Sequence, residues 1–229
     1  MGFAVIEGLD GSGKSTQLDL LCKHFEREKI PYNFMHFPRI DSSLFGSLIG
    51  MFLRGELGSI ENVSPYMTAL LYAGNRNDAK KEISQWLSEG RVVIADRYVY
   101  SNIAYQCAKL KTEEEKNQLK QWILYMEYSY YSIPRPGVNI FLDVPMDFTR
   151  QNLQKARTGN DRNYLGGKKD IHEEKIEFQE KVRQSYLELA EKEEDMKVLK
   201  CFSENGEIME AREISSRIIS LLKSKKITG

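Results

Sequence analysis

The chain has 229 residues, of which 41% are hydrophobic and 29% charged, enough for one good-sized core in a single domain. Lys+Arg and Asp+Glu balance at 33 each, so no overall field recruits nucleic acid or an anionic membrane. Apolar runs fall far short of a membrane span. Cys22, Cys107 and Cys201 show neither zinc spacing nor a C-x-x-C pair, which fits reduced thiols in a cytoplasm.

The first expected strand, Phe3–Glu7, follows Met1-Gly2 so closely that no secretory signal is expected, and Ile6 stands where a myristoylation signal needs Ser or Thr. The strand runs into Gly8, Leu9, Asp10, Gly11, Ser12, Gly13, Lys14, Ser15 and Thr16. This stretch fits G-x-x-x-x-G-K-[ST], the phosphate-cradling loop. Its glycines let backbone N–H groups turn inward on phosphate oxygens. Lys14 reaches the outer phosphates, Ser15 or Thr16 faces Mg²⁺, and the helix behind aims its positive end at the anion. That helix, Lys14–Glu28, carries Leu18, Leu21, Cys22 and Phe25 on one stripe.

A second strand, Tyr32–Phe37, ends in Phe37-Pro38-Arg39. In open α/β sheets the carboxyl edge is where ligands bind, and an arginine there can fork onto phosphate. Pro65 opens a long helix to about Glu89, stopped by Gly90. Tyr72 and Arg76 lie four apart on one face of it, able to stack on a base and donate to a base carbonyl. The third strand, Arg91–Asp96, ends in Asp96-Arg97. A carboxylate at that tip can hold Mg²⁺, and the adjacent cation can serve phosphate. Thr112 opens a helix expected to continue over Lys116–Tyr131. Strands Val138–Asp143 and Lys197–Phe202 and helices Asp170–Lys192 and Glu207–Lys223 complete the pattern. His24 and His36 show no partner spacing. Five short apolar strands separated by long helical intervals predict an α/β domain with a parallel sheet.

The motif fixes a nucleoside triphosphate as donor but leaves the acceptor open. A sugar hydroxyl benefits from a nearby general base, which argues for a carboxylate after the second strand, where this chain has Pro38-Arg39. A nucleoside monophosphate is already largely dianionic and needs neutralising and aiming instead. A guanine-nucleotide switch would need an N-K-x-D segment, and the sequence has none.

The chain resembles the thymidylate kinase family of P-loop nucleoside monophosphate kinases, its bacterial type, over most of its length. The pieces fall in family order: GLDGSGKST, Phe37-Pro38-Arg39, LLYAGNR at 70–76, DRYVYSNIAYQ at 96–106, a basic lid near Arg157–Arg162, and DIHE at 170–173. The resemblance implies five parallel strands wrapped by helices, transfer of the ATP terminal phosphate to dTMP, Mg²⁺ dependence and a homodimer. It assigns Arg39 and Phe37 to the acceptor, Tyr72 to stacking on thymine, and Arg76 to the thymine O4. Asn102 resembles a base-edge reader of some bacterial members, Gln106 completes the thymidine contacts, Ser101 belongs to the same acceptor segment, and Tyr105 crowds the sugar 2′ position. Asp10 stands near the 3′-hydroxyl or the metal, Ser15 and Asp96 serve Mg²⁺, and Lys14, Arg97, Arg157 and Arg162 carry catalysis. Gly11 stands where the eukaryotic type has a loop arginine, so the resemblance looks to the lid, about 150–169, for the missing cation.

Overall fold

The computed structural model describes residues 2–41, 44–59, 62–154 and 176–228. In chain order these form β1 (Phe3–Gly8), α1 (Lys14–Arg27), β2 (Tyr32–His36), α2 (Leu44–Leu53), α3 (Pro65–Ser88), β3 (Val92–Asp96), α4 (Val99–Cys107) and α5 (Glu113–Leu124). A π-helical turn over Tyr125–Tyr130 follows, then β4 (Val138–Asp143), α6 (Met146–Gln154), α7 (Ile176–Lys192), β5 (Met196–Lys200) and α8 (Ala211–Ser224). The strands pair in the order β2-β3-β1-β4-β5, all parallel.

The middle strands β1, β3 and β4 are buried from end to end, which is why they are continuous apolar runs without alternation. Their side chains still divide between two faces. Phe3 and Val5 pack with Tyr98, Phe141 and Tyr186 on one side, while Ala4 and Ile6 pack with Leu18, Phe25, Ile140 and Ile218 on the other. A smaller cluster of Ile49, Phe52 and Leu53 closes α2 onto Leu71 and Tyr72 of α3. Each fully buried Val, Ile, Leu or Phe contributes about 1.5–3 kcal/mol, so β1 is anchored from both faces before its loop begins.

Several expected boundaries move. Strand β5 ends at Lys200, and Phe202 makes an isolated antiparallel bridge to Ile208 instead. That bridge occupies the residues before α8, which therefore starts at Ala211 rather than near 207. The helix begun by Thr112 does have a capping box, with Glu115 N–H donating to Thr112 Oγ1 and Thr112 N–H to the Glu115 carboxylate. It does not run as one α-helix to Tyr131. From Tyr125 it widens into π geometry, and Glu127 within that turn faces inward to Arg76. Helices α2, α4 and α6 are additions to the expected pattern. Arg150 lies on α6 beside Asp147, so the first residues assigned to a lid are helical.

Candidate active site

The phosphate loop leaves β1 at Gly8 and enters α1 at Lys14. A side chain on Gly8 would meet Ser12 Oγ at 2.6 Å, and Gly11 and Gly13 sit at φ 79° and 84°, so the tight loop depends on glycine at all three. Helix α1 has no side-chain N-cap, which leaves its first N–H groups turned to the loop cavity. Ser12 Oγ is buried there without a hydrogen-bond partner among the described residues, and Asn152 of α6 clamps the loop by donating to the Gly11 carbonyl at 2.8 Å. Lys14 folds back onto the loop, its Nζ donating to the carbonyls of Leu9 at 2.8 Å and Gly8 at 3.3 Å. Burial lowers its pKa to about 8; Arg97 adds to the drop, and Asp96, Asp10 and Glu7 oppose it. Ser15 and Thr16 are exposed on the first turn of α1.

Asp96 ends β3, one strand over from the loop, in register with Ile6. His36 of β2 is its register partner on the other side, and its Nδ1 lies 3.0 Å from Asp96 Oδ2. The unpartnered histidine of the sequence reading thus gains a partner through strand register. Burial works to raise the Asp96 carboxyl, but the His36 contact and the charge of Lys14 carry it below the usual range. Asp96 Oδ1 remains buried with no hydrogen-bond partner among the described residues.

Arg97 follows at φ 65°, a left-handed conformation uncommon for a side chain of this size. Glu7, fully buried at the end of β1, holds the turn. Its Oε1 accepts from the backbone N–H of Tyr98 at 3.0 Å and of Ser101 at 3.2 Å, so a strand carboxylate caps α4 in place of a local side chain. Ser101 Oγ donates to Glu7 Oε2 at 2.5 Å, and Tyr186 of α7 donates to the same oxygen at 2.9 Å. Burial nevertheless raises the Glu7 carboxyl above its ordinary value.

From this turn Arg97 reaches across the loop. Its NH2 donates to Asp10 Oδ1 at 2.7 Å and to the Tyr105 hydroxyl at 3.1 Å, and its NH1 donates to Ser101 Oγ at 3.2 Å. Tyr105 in turn donates to Asp10 Oδ2 at 2.8 Å, and Gln179 of α7 donates to the same oxygen at 3.0 Å. Asp10, Arg97, Ser101 and Tyr105 are therefore brought together, along with Glu7, Gln179 and Tyr186, which the sequence did not single out.

Around the C-terminal edge, Arg39 is held at its backbone by Asn75 of α3. Asn75 Oδ1 accepts from the Arg39 N–H at 2.8 Å, and its Nδ2 donates to the Arg39 carbonyl at 3.0 Å. The Arg39 guanidinium lies 3.2 Å from Glu82. Phe37 is buried against Tyr98, and Tyr72 joins the α2–α3 cluster. Arg76 is not open to a ligand along its whole fork. It is 2% exposed and pairs with Glu127 through Nε at 2.5 Å and NH2 at 2.7 Å. Burial alone would pull the guanidinium pKa down, but that carboxylate holds it above its usual value. Asn102 and Gln106 are buried on α4. Arg157, Arg162 and the DIHE segment lie outside the described residues.

The site thus joins an anion-binding loop, a cation aimed along it and a buried acidic tip on the neighbouring strand. The thymidylate kinase family model matches residues 6–211. The chain belongs to the thymidylate kinase family. A probable thymidylate kinase of Pyrococcus abyssi is 32% identical over 210 residues, 91% of this chain and 92% of the relative. The thymidylate kinase of Mycobacterium tuberculosis (strain ATCC 25618 / H37Rv) is 31% identical over 185 residues, covering 81% and 84%. A solved thymidylate kinase from Candida albicans superposes with a TM-score of 0.72 at 25% identity, over 99% of this chain and 92% of that one. The kinase transfers phosphate from ATP to dTMP, giving dTDP and ADP. Among the described residues no helix is long and apolar enough to cross a membrane.

Proposed function

We propose that this kinase works by in-line transfer, with Lys14 and Arg97 as the cations nearest the moving phosphoryl group and Arg39 holding the phosphate of dTMP. The observation that carries this reading is Arg97, a half-buried arginine fixed in a left-handed turn whose side chain spans from the loop to Tyr105. A phosphate acceptor needs that cation and no base. Asp10 fits this as well, since both its oxygens already accept from Arg97, Tyr105 and Gln179 and neither is set up to take a proton.

The triphosphate would displace Lys14 from the Leu9 and Gly8 carbonyls and lie against the uncapped start of α1. Tyr105, packed by Phe178 and tied to Asp10, would close the space beside the sugar 2′ position. Tyr72 would stack on thymine, with Arg76, Ser101, Asn102 and Gln106 around the nucleoside. Mg²⁺ is part of the proposal: a hard cation takes oxygen ligands, and the buried unpartnered Asp96 Oδ1 is such an oxygen, with Ser15 as second donor. When bound, the metal would neutralise charge on the β- and γ-phosphates. Arg157 and Arg162 are proposed to supply the remaining positive charge from the lid, at about 150–169. A homodimer working in the cytoplasm completes the reading, supported by the exposed Leu44, Leu48 and Met67 on α2 and the first turn of α3.

The test is a panel of nucleoside monophosphates with ATP, read as ADP formed, for the wild type and Arg39→Ala. Substitution at Arg39 should raise the KM for dTMP and spare that for ATP. An effect on ATP alone would remove Arg39 from the acceptor site.

A further inference from the structure

The π-helical turn leaves one fully buried carboxylate, Glu127, beneath the contact between α3 and α4. It does more than neutralise Arg76. The Oε1 that accepts from Arg76 NH2 also accepts from Asn102 Nδ2 at 3.1 Å. The same Asn102 Nδ2 donates to the Ala69 carbonyl of α3 at 3.0 Å. Both neighbours on that side, a carboxylate held in a guanidinium fork and a backbone carbonyl, can only accept. The orientation of the Asn102 amide is therefore dictated by chemistry: its NH₂ must face Glu127 and Ala69, and its oxygen occupies the opposite branch. That oxygen is buried and has no hydrogen-bond partner among the described residues. One helical turn further, Gln106 leaves both amide atoms buried and without hydrogen-bond partners among the described residues. Leaving such groups unpaired costs about 1–3 kcal/mol each. The bare protein carries that cost at two residues of the segment assigned to the acceptor, and a complementary ligand would recover it.

We propose that Glu127 is the positioning residue for nucleobase choice: it locks the Asn102 carbonyl oxygen as a fixed hydrogen-bond acceptor, which selects a pyrimidine with a ring N–H over cytosine. Thymine and uracil present N3–H between two carbonyls. Cytosine presents N3 as an acceptor, so its lone pair would face that of Asn102 with no proton between them. Gln106 can turn its NH₂ to a flanking carbonyl in the first case. The fixed acceptor cannot adapt to the second, because turning the Asn102 amide would point its oxygen at the Glu127 carboxylate. This proposal rests on the assignment of the α3–α4 space to the acceptor's base.

The experiment measures kcat and KM for dTMP and dCMP at saturating ATP with the full chain. Glu127→Gln gives Asn102 a partner that can donate or accept, so the amide is free to turn. The ratio of kcat/KM for dTMP over dCMP should fall about tenfold or more, through KM, with kcat on dTMP within about threefold of wild type. Asn102→Ala should lower the ratio similarly, and adding Glu127→Gln to it should change the ratio no further. Should Glu127→Gln leave Arg76 too poorly paired to fold, Glu127→Asp keeps the charge and withdraws it by one methylene, and its ratio should fall as well. Equal losses on dTMP and dCMP in a folded Glu127 variant, or an unchanged ratio in Asn102→Ala, would overturn the proposal. A wild type that prefers dCMP overturns the pocket assignment itself, and the proposal with it.

Discussion

Arg97 is held at φ 65° by three backbone contacts: its own N–H donates to the Ile6 carbonyl at 3.0 Å, and Glu7 takes the N–H groups of Tyr98 and Ser101. Glycine adopts that conformation without strain, and alanine does not. Arg97→Gly and Arg97→Ala should therefore lose turnover alike, since both remove the guanidinium. Arg97→Gly should be the more stable of the two, by about 1–2 kcal/mol in urea unfolding. Equal stability would mean the turn is not strained by its side chain. Lys14 carries a second residue-scale expectation. With its pKa lowered to about 8 by burial, it loses its proton, and its hold on phosphate, as pH rises through that value. The kcat/KM for ATP, which reports the free enzyme, should fall above about pH 8. The kcat limb should lie higher, because bound phosphates favour the protonated amine. A profile flat to pH 10 would exclude Lys14 as the phosphate-binding amine.

At the scale of elements, the turn that follows α4 carries Lys109, whose ammonium is buried with no hydrogen-bond partner among the described residues, 5.0 Å from the centre of the Phe52 ring on α2. Burial lowers its pKa to about 7, below its value in an unfolded chain. The cost of charging it in the fold is thus fully present below about pH 7 and fades as pH rises toward the ordinary lysine range. Lys109→Met keeps most of the stem and removes the charge. It should stabilise the protein by about 1–3 kcal/mol at pH 6 and by much less at pH 10, measured by urea unfolding. The reverse order would place a counter-charge on that ammonium. The elements also explain what the sequence disclosed. Strands β1, β3 and β4 are legible because sheet interiors demand unbroken apolar runs, and the phosphate loop because its glycines are forced by backbone geometry. Helix α2, LFGSLIGMFL, and helix α4, VYSNIAYQC, are not, since one is apolar on nearly every side and the other is buried at all nine positions, so neither shows a two-sided pattern. Glu7 looks like an ordinary strand end and Glu127 like an ordinary helical acid. Their roles come from partners far along the chain: Ser101 and Tyr186 for Glu7, and Arg76 and Asn102 for Glu127.

Across the whole molecule, the site is where distant parts of the chain meet: β1 supplies the loop, β3 its acidic tip, and α7 returns to brace Asp10 and Glu7. Helix α3 links that centre to the outside. Its second to fourth turns carry Tyr72, Asn75 and Arg76, while its first carries Met67, 58% exposed, and the helix packed against it, α2, opens with Leu44 at 86%. Large apolar side chains this open cost little in a monomer singly but mark an interface when they gather on neighbouring helices. A two-fold contact would bury each of them twice, so a charge placed there is repelled by its own copy as well as desolvated. Met67→Glu should therefore convert a species of twice the chain mass into one of chain mass in sedimentation, with the unfolding profile of the separated chain still cooperative. Because the same helix holds Arg39 through Asn75, loss of the partner should loosen the acceptor side first. The KM for dTMP should rise several-fold while the KM for ATP, set at the loop on the other side of β3, stays near wild type. A Met67→Glu variant that sediments like wild type would move the interface away from α2 and α3. One that becomes monomeric with both KM values unchanged would sever the proposed link between that interface and the acceptor pocket.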